Sequence, residues 1–198
     1  VVGSNNRSST ICFAATTNTS SGFVIAGHVG SVRGDDFTYN GNKIGMVLQT
    51  AFYNNSTADA AFLKAASNVE TSYILANGGH LWAASTYKLP VNTTVWKYGI
   101  TTGLTSGQIH TTGASGTVYK YDANGNVVSS AVITDQYWVN LKGEPGDSGA
   151  PVMVYDGNYN GSTKYTLVGI YSGTNRYGSV FSGYANIVKE LGVTCITE

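Results

Sequence analysis

Ser148 stands in the stretch Gly143-Glu144-Pro145-Gly146-Asp147-Ser148-Gly149-Ala150-Pro151, among small turn-forming residues with apolar, strand-like sequence on either side. A serine so placed is displayed rather than buried. Glycines at 143, 146 and 149 permit positive φ and let backbone N–H groups converge on one point, the geometry that stabilises an oxyanion. The loop could hold a nucleophile and its anion stabiliser, or it could be a plain Gly/Pro/Asp/Ser turn between strands. His28 closes an apolar run as Ala26-Gly27-His28, where small neighbours leave room around the ring. A lone histidine is more often structural than reactive. Asp59 opens the run Asp59-Ala60-Ala61-Phe62-Leu63-Lys64. A carboxylate at the mouth of an apolar strand is costly to bury without donors, so it faces solvent or has a dedicated partner, for which His28 is the candidate. A serine, an imidazole and a carboxylate together supply a nucleophile, a general base and an orienting acid, the set used for acyl transfer.

Other titratable groups read more plainly. Asp35 and Asp36 lie closer to His28 in sequence, but in the charged turn Val32-Arg33-Gly34-Asp35-Asp36 they read as a solvated loop. His80 follows Gly78 and Gly79 with no carboxylate or cysteine nearby and reads as a surface-loop residue. His110 alternates with apolar neighbours and reads as the polar face of a strand. None of these suggests a metal site, and no cofactor is expected.

The elements that must position the three residues read as short strands. Residues 10–16 and 22–26 flank the turn Thr17-Asn18-Thr19-Ser20-Ser21, a hairpin signal, and residues 44–51 and 59–64 follow as apolar runs. Strand signals weaken between 76 and 88, which divides the chain into 1–85, carrying His28 and Asp59, and 86–198, carrying Ser148. Residues 115–135 read as a hairpin around Asp122-Ala123-Asn124-Gly125-Asn126, scaffold or pocket rim. Strand 136–141 enters the Ser148 loop, 152–155 leaves it, and 164–171 follows as a core strand. Residues 182–191 have helix grammar, with Ile187, Val188 and Leu191 on one face and Gly192 as the stop.

Composition agrees with an all-β reading. The 198 residues are 42% hydrophobic and only 11% charged, with Gly, Ser, Thr, Asn and Tyr abundant, as in secreted proteins built from short strands and tight turns. Lys+Arg and Asp+Glu balance at 11 each, which argues against a nucleic-acid partner. No apolar run approaches the ~20 residues that span a bilayer, and no basic-then-apolar leader opens the chain, so no membrane association and a mature sequence are expected. Cys12 and Cys195 are too far apart for a C-x-x-C motif. In a secreted chain the even count favours a disulfide over two free buried thiols, and in the chain-entropy model so long a loop could contribute up to ~5 kcal/mol.

Gly146-Asp147-Ser148-Gly149-Ala150-Pro151 resembles the G-D-S-G-G-P signature of chymotrypsin-like serine proteases. With Val1-Val2-Gly3 at the start and Ala26-Gly27-His28 upstream, Glu144-Pro145-Gly146-Asp147-Ser148-Gly149 is similar to the secreted bacterial branch of streptogrisins and alpha-lytic protease. The likeness runs through most of the chain and departs at Ala150, which stands where the signature has a second glycine. It implies two six-stranded antiparallel β-barrels with a short C-terminal helix, and a triad of His28, Asp59 and Ser148. Gly146 and Ser148 would form the oxyanion hole.

Further roles are implied by the same resemblance. Thr94-Val95-Trp96-Lys97-Tyr98-Gly99-Ile100-Thr101-Thr102-Gly103-Leu104-Thr105-Ser106-Gly107 resembles the segment whose basic residue pairs with the aspartate before the nucleophile. This implies a Lys97–Asp147 ion pair, the alternative being Val1 as counter-charge. Leu141, Lys142 and Gly143, then Tyr171, Ser172, Gly173 and Thr174, and the strand at 178–181 would wall the specificity pocket, and Ser172 would hydrogen-bond the triad acid. Tyr171 would either enter the pocket and narrow it or pack outward. No aspartate sits at the pocket base, so an apolar residue before the scissile bond is expected. A glutamate preference is the lesser option, because His80 and His110 fall outside these walls.

Two of the branch's usual cysteine positions hold Val29 and Lys142. The resemblance implies a monomeric secreted endopeptidase acting on peptide or protein substrates, with a signal peptide and a pro-segment removed to leave Val1. The alternatives are a catalytically inactive protease fold used for binding and a carbohydrate-stacking β module, prompted by the 14 tyrosines.

Overall fold

The computed structural model describes residues 1–3, 8–75, 78–175 and 178–198. Ala76 and Asn77, where the expected connection begins, lie outside the described residues. The strands are β1 (Val2–Gly3), β2 (Phe13–Thr16), β3 (Ser21–Ala26), β4 (Asp36–Tyr39), β5 (Asn42–Thr50), β6 (Ala60–Ala65) and β7 (His80–Ala84). They continue with β8 (Thr94–Gly99), β9 (Gly103–Tyr121), β10 (Val127–Val139), β11 (Pro151–Tyr159), β12 (Ser162–Asn175), β13 (Gly178–Gly183) and β14 (Thr194–Cys195), with one helix, α1 (Tyr184–Leu191), before β14.

The first sheet has the order β1-β4-β5-β6-β3-β2-β14. Its interior strand β3 is buried along nearly its whole length because both faces are covered. The hairpin into it is set by Thr17, whose hydroxyl accepts the N–H groups of Thr19 and Ser20 at 3.3 and 3.1 Å. The second sheet runs β11-β8-β9-β10-β13-β12, and β11–β12 pairing closes it into a six-stranded antiparallel barrel, matching the chymotrypsin fold. β7 adds to this barrel in parallel with β12, so a strand N-terminal to residue 85 belongs to the second sheet by pairing.

Each half has its own apolar cluster, around Ile25, Phe37 and Leu63 in the first and Ile109, Val152 and Phe181 in the second. A third cluster joins them, packing Phe13, Val24 and Phe62 against Met153, Leu167 and Ile170, with Tyr184, Ile187 and Leu191 of α1 closing one end. The two halves are thus locked by a shared core, and a site built from both has a fixed frame. α1 starts at Tyr184 rather than 182, because Ser182 is still paired in β13 opposite Gln136. It stops where expected: Gly192 takes φ 61° and its N–H reaches the Val188 carbonyl at 2.8 Å.

The β9–β10 arm turns at Asp122, whose Oδ1 accepts the N–H groups of Asn124 and Asn126 at 2.9 and 2.8 Å. Lys120 from this arm donates to the Ser31 hydroxyl at 2.7 Å, reaching across to the loop that comes after His28.

Two expectations are corrected. His80 is on β7, and its Nδ1 lies 3.0 Å from the Glu198 carboxylate, which also pairs with Lys164. The partner comes from the far end of the chain, beyond the reach of a local reading. Cys12 and Cys195 are free, buried thiols rather than a disulfide. β14 sets Cys195 opposite Ala15, three residues past Cys12. At about 3.3 Å per residue that offset is ~10 Å, beyond the ~7 Å Cα separation a bridge tolerates. Burial pushes the Cys12 thiol well above its usual value, with the Cys195 charge adding to it, and pushes Cys195 up to about 12. The native protein should therefore resist alkylation at both thiols, and a reductant should leave its Tm unchanged; a reductant-dependent fall in Tm would reveal a bridge.

Candidate active site

After β3 the chain leaves the sheet in a turn, with the N–H groups of Val29 and Gly30 reaching the Ala26 carbonyl at 3.2 and 3.0 Å. The β3–β6 register sets Ala26 opposite Ala60, so His28, just past one strand, meets Asp59, just before the other. The His28 N–H donates to Asp59 Oδ1 at 2.7 Å, and its Nδ1 lies 2.7 Å from Oδ2. A Cβ on Gly27 would stand 3.0 Å from Asp59 Oδ1 and 2.7 Å from the Ala60 nitrogen, so this approach needs glycine. Phe52 packs its edge against the imidazole, with ring centres 6.3 Å apart.

Asp59 is wholly buried, and a polar chain behind it fixes its backbone. Its N–H donates to Ser182 Oγ at 2.9 Å, and Ser182 Oγ donates to Gln136 Oε1 at 2.7 Å. Gln136 Nε2 in turn donates to the Thr57 carbonyl at 3.0 Å. The 53–57 loop is held from the helix by Glu190, which accepts the Thr57 N–H at 2.9 Å, the Thr57 hydroxyl at 2.7 Å and the Tyr53 hydroxyl. Ser182, Gln136 and Glu190 were missed as site-supporting residues. For the first two the available signal was a polar side chain inside an apolar strand, which must find a partner when buried.

In the Ser148 loop, Gly146 and Gly149 take φ 102° and 90°, where any other residue would be strained. Asp147 braces the loop from beneath. Its carboxylate accepts Lys97 Nζ at 3.1 Å, the Thr102 hydroxyl at 2.7 Å, and the N–H groups of Thr101, Thr102 and Glu144 at 2.9, 3.2 and 3.2 Å. Burial alone would raise its pKa, but these hydrogen bonds, Thr102 first, hold it below the usual carboxylate range. Burial lowers Lys97, against the opposing pull of Asp147. The Val1 ammonium is engaged elsewhere, donating to the Ser9 carbonyl at 2.7 Å.

The Ser148 carbonyl accepts the Thr10 N–H at 2.9 Å and the Ser9 hydroxyl at 2.6 Å, while its Oγ donates to the Ser172 carbonyl at 3.1 Å. The N–H groups of Glu144, Asp147, Gly149 and Ala150 all have acceptors. Among the described residues, those of Gly146 and Ser148 have none.

His28 and Ser148 line one cavity of ≈ 520 Å³. Gly143, Tyr171, Ser172, Gly173 and Thr174 line it too, as do residues 116–121 of β9, an arm read only as scaffold or rim. Leu141 and Lys142 do not. Leu141 is buried in the second core and Lys142 points to solvent, so of the three only Gly143 borders the cavity. The expected bond from Ser172 to Asp59 is also not formed: both Asp59 oxygens are taken by His28, and the buried Ser172 Oγ finds no partner among the described residues. Tyr171 points inward, 1% exposed.

The trypsin family model matches the chain over residues 1–189. The fold is similar to that of Cellulomonas bogoriensis chymotrypsin, at 24% identity and a TM-score of 0.68, covering 100% of this chain and 99% of that one. It is also similar to the Nocardiopsis protease NAPase, at 21% identity and TM-score 0.71, covering 99% and 97%. Alpha-lytic protease homolog N4 aligns at 18% identity and TM-score 0.66, covering 97% and 94%. No curated protein matches the sequence.

Proposed function

The chain belongs to the trypsin family and is a chymotrypsin-like serine peptidase, and from that premise we propose that it is a secreted endopeptidase working through Ser148, His28 and Asp59. The observation that carries the assignment of roles is the two-point hold of buried Asp59 on His28. With Nδ1 engaged by the carboxylate, the proton sits there, and Nε2 is left as the base.

In the proposed reaction Ser148 Oγ attacks the peptide carbonyl carbon as its proton passes to His28 Nε2. Asp59 stabilises the imidazolium. The carbonyl oxygen becomes an oxyanion facing the uncommitted N–H groups of Gly146 and Ser148. Collapse breaks the C–N bond, His28 returns the proton to the leaving amine, and water repeats the sequence on the acyl-enzyme. At rest the Ser148 hydroxyl points at the Ser172 carbonyl and must turn to His28, an adjustment usual when a free site takes up substrate.

The division of labour runs along the chain: residues 1–85 bring the base and its acid, and 86–198 the nucleophile and pocket. The enzyme acts alone on peptide or protein substrates, is released from a longer precursor, and prefers an apolar residue before the scissile bond. No helix among the described residues is long and apolar enough to cross a membrane. Labelling with a fluorophosphonate and mapping the modified peptide tests the assignment: modification at Ser148 is expected in the native chain and lost in His28→Ala. Labelling that survives His28→Ala, or none on the folded native chain, would reject it.

A further inference from the structure

The peptidase assignment leaves open what the enzyme selects, and Tyr171 bears on this directly. Gly143 on one side and residues 172–174 on the other line the space into which a substrate side chain would insert, with Val180 behind them. The Tyr171 side chain stands in that space. A Cβ on Gly143 would overlap its hydroxyl, so this wall is bare glycine because the phenol already occupies the place. On its other side the ring faces Lys97, with Nζ 5.2 Å from the ring centre, so it also lids the buried ion pair under the Ser148 loop.

The polar end of the ring is fully engaged. The Tyr171 hydroxyl lies 2.6 Å from Thr174 Oγ1 and 3.2 Å from Ser179 Oγ. Thr174 Oγ1 and Ser179 Oγ are 2.6 Å apart, and Ser179 donates to the Leu141 carbonyl at 2.6 Å. Each hydroxyl has one proton. With Ser179 committed to Leu141, the other two protons are spent among the three hydroxyls whichever way they run, and no donor is left over. A substrate carboxylate arriving here would find three oxygens and nothing to neutralise it, and a long or aromatic side chain would find the volume taken.

We propose that Tyr171 plugs the specificity pocket, so that the enzyme cleaves after short, uncharged side chains of about alanine size and disfavours both aromatic and acidic residues at that position. This rests on the peptidase reading and deepens it. Tyr171 is a specificity-determining residue, acting by the space it fills rather than on the reacting atoms.

The test uses matched chromogenic peptides differing only in the residue before the scissile bond (Ala, Leu, Phe or Glu), with wild type, Tyr171→Phe and Tyr171→Val. Each protein is first titrated with fluorophosphonate to count competent sites. Wild type should prefer Ala. Tyr171→Phe, which keeps the ring, should preserve that order. Tyr171→Val should raise the Phe-to-Ala ratio of kcat/KM by about 100-fold, the scale on which apolar pockets discriminate by size. If Tyr171→Val does not fold, the wild-type order alone still decides. Wild type that titrates fully yet cleaves best after Phe, Leu or Glu overturns the plug, as does a Tyr171→Val ratio equal to wild type. Failure to titrate or to cleave any peptide instead overturns the peptidase assignment beneath it.

Discussion

Replacing Ser148 by alanine should lower kcat on a peptide substrate by about 10⁶-fold while leaving Tm within the error of measurement, because the change removes one exposed-side oxygen and no structural contact except its bond to the Ser172 carbonyl. His28→Ala should cost about as much, since nucleophile and base act as one unit and the loss of either disables both. Asp59→Asn is expected to be milder, at about 10⁴-fold, by presenting an amide N–H where Nδ1 needs an acceptor and so favouring the wrong imidazole tautomer. The residual rate in all three would come from the Gly146 and Ser148 N–H groups and from binding. Steady-state kinetics with one peptide across the four proteins checks this ordering. A Ser148→Ala variant within tenfold of wild type would remove the serine from the reaction and place the nucleophile elsewhere.

Lys97→Met should destabilise the protein by about 3 kcal/mol, the low end of the cost of removing one member of a buried pair. Both side chains of the pair are fully buried, so Asp147 would be left without a cation. The value sits at the low end because the Thr102 hydroxyl and three backbone N–H groups still face the carboxylate. For a chain of this size that corresponds to a fall in Tm of ~6–12 °C. Activity should fall further than stability explains, by about 10²-fold, because Asp147 sets the loop that aims Ser148 and the two N–H groups, and misplacement of about 1 Å is worth that much.

The pH dependence has a definite direction. The folded-state pKa of Asp147 lies below its usual 3.8, so its contribution to stability is present above that value and is lost as pH falls through the lower folded one. The variant, with weaker stabilisation of the carboxylate, should show a smaller loss of stability over that acid range. Thermal melts of wild type and Lys97→Met between neutral pH and about pH 2 would measure it. Equal Tm values at neutral pH would mean that Lys97 reaches water instead.

The features legible in the chain were local. A displayed serine among glycines, a histidine at a strand end and an aspartate at a strand mouth could each be named as candidates from a few neighbouring residues, the family resemblance joined them, and alternation with turn residues points to the all-β class. The features that stayed hidden depend on pieces far apart in sequence. His80 looked unpartnered because Glu198 comes from the other end of the chain, and β7 joins the second sheet by a parallel pairing with β12 that no local pattern marks. The cysteine pair failed on register, a property of β14 against β2 rather than of spacing. Ser182 and Gln136 looked like ordinary strand polarity until burial made each the other's partner. Tyr171 could be named with two orientations open, but only the position of its hydroxyl beside Gly143 shows which way it points.

The pairing of β14 with β2 also bears on how the molecule comes into being. The first sheet gains its outer strand from residues 194–195, which are synthesised long after β2. Until then β2 has an open edge, the kind of surface that recruits strands from other molecules. The shared core must wait as well, because its second-half members and the helix come after the first half by a hundred residues or so, and such distant contacts form slowly. The half that holds His28 and Asp59 is thus made first and finished late, so these two residues reach their final frame only once the strand at 194–195 is available to fold.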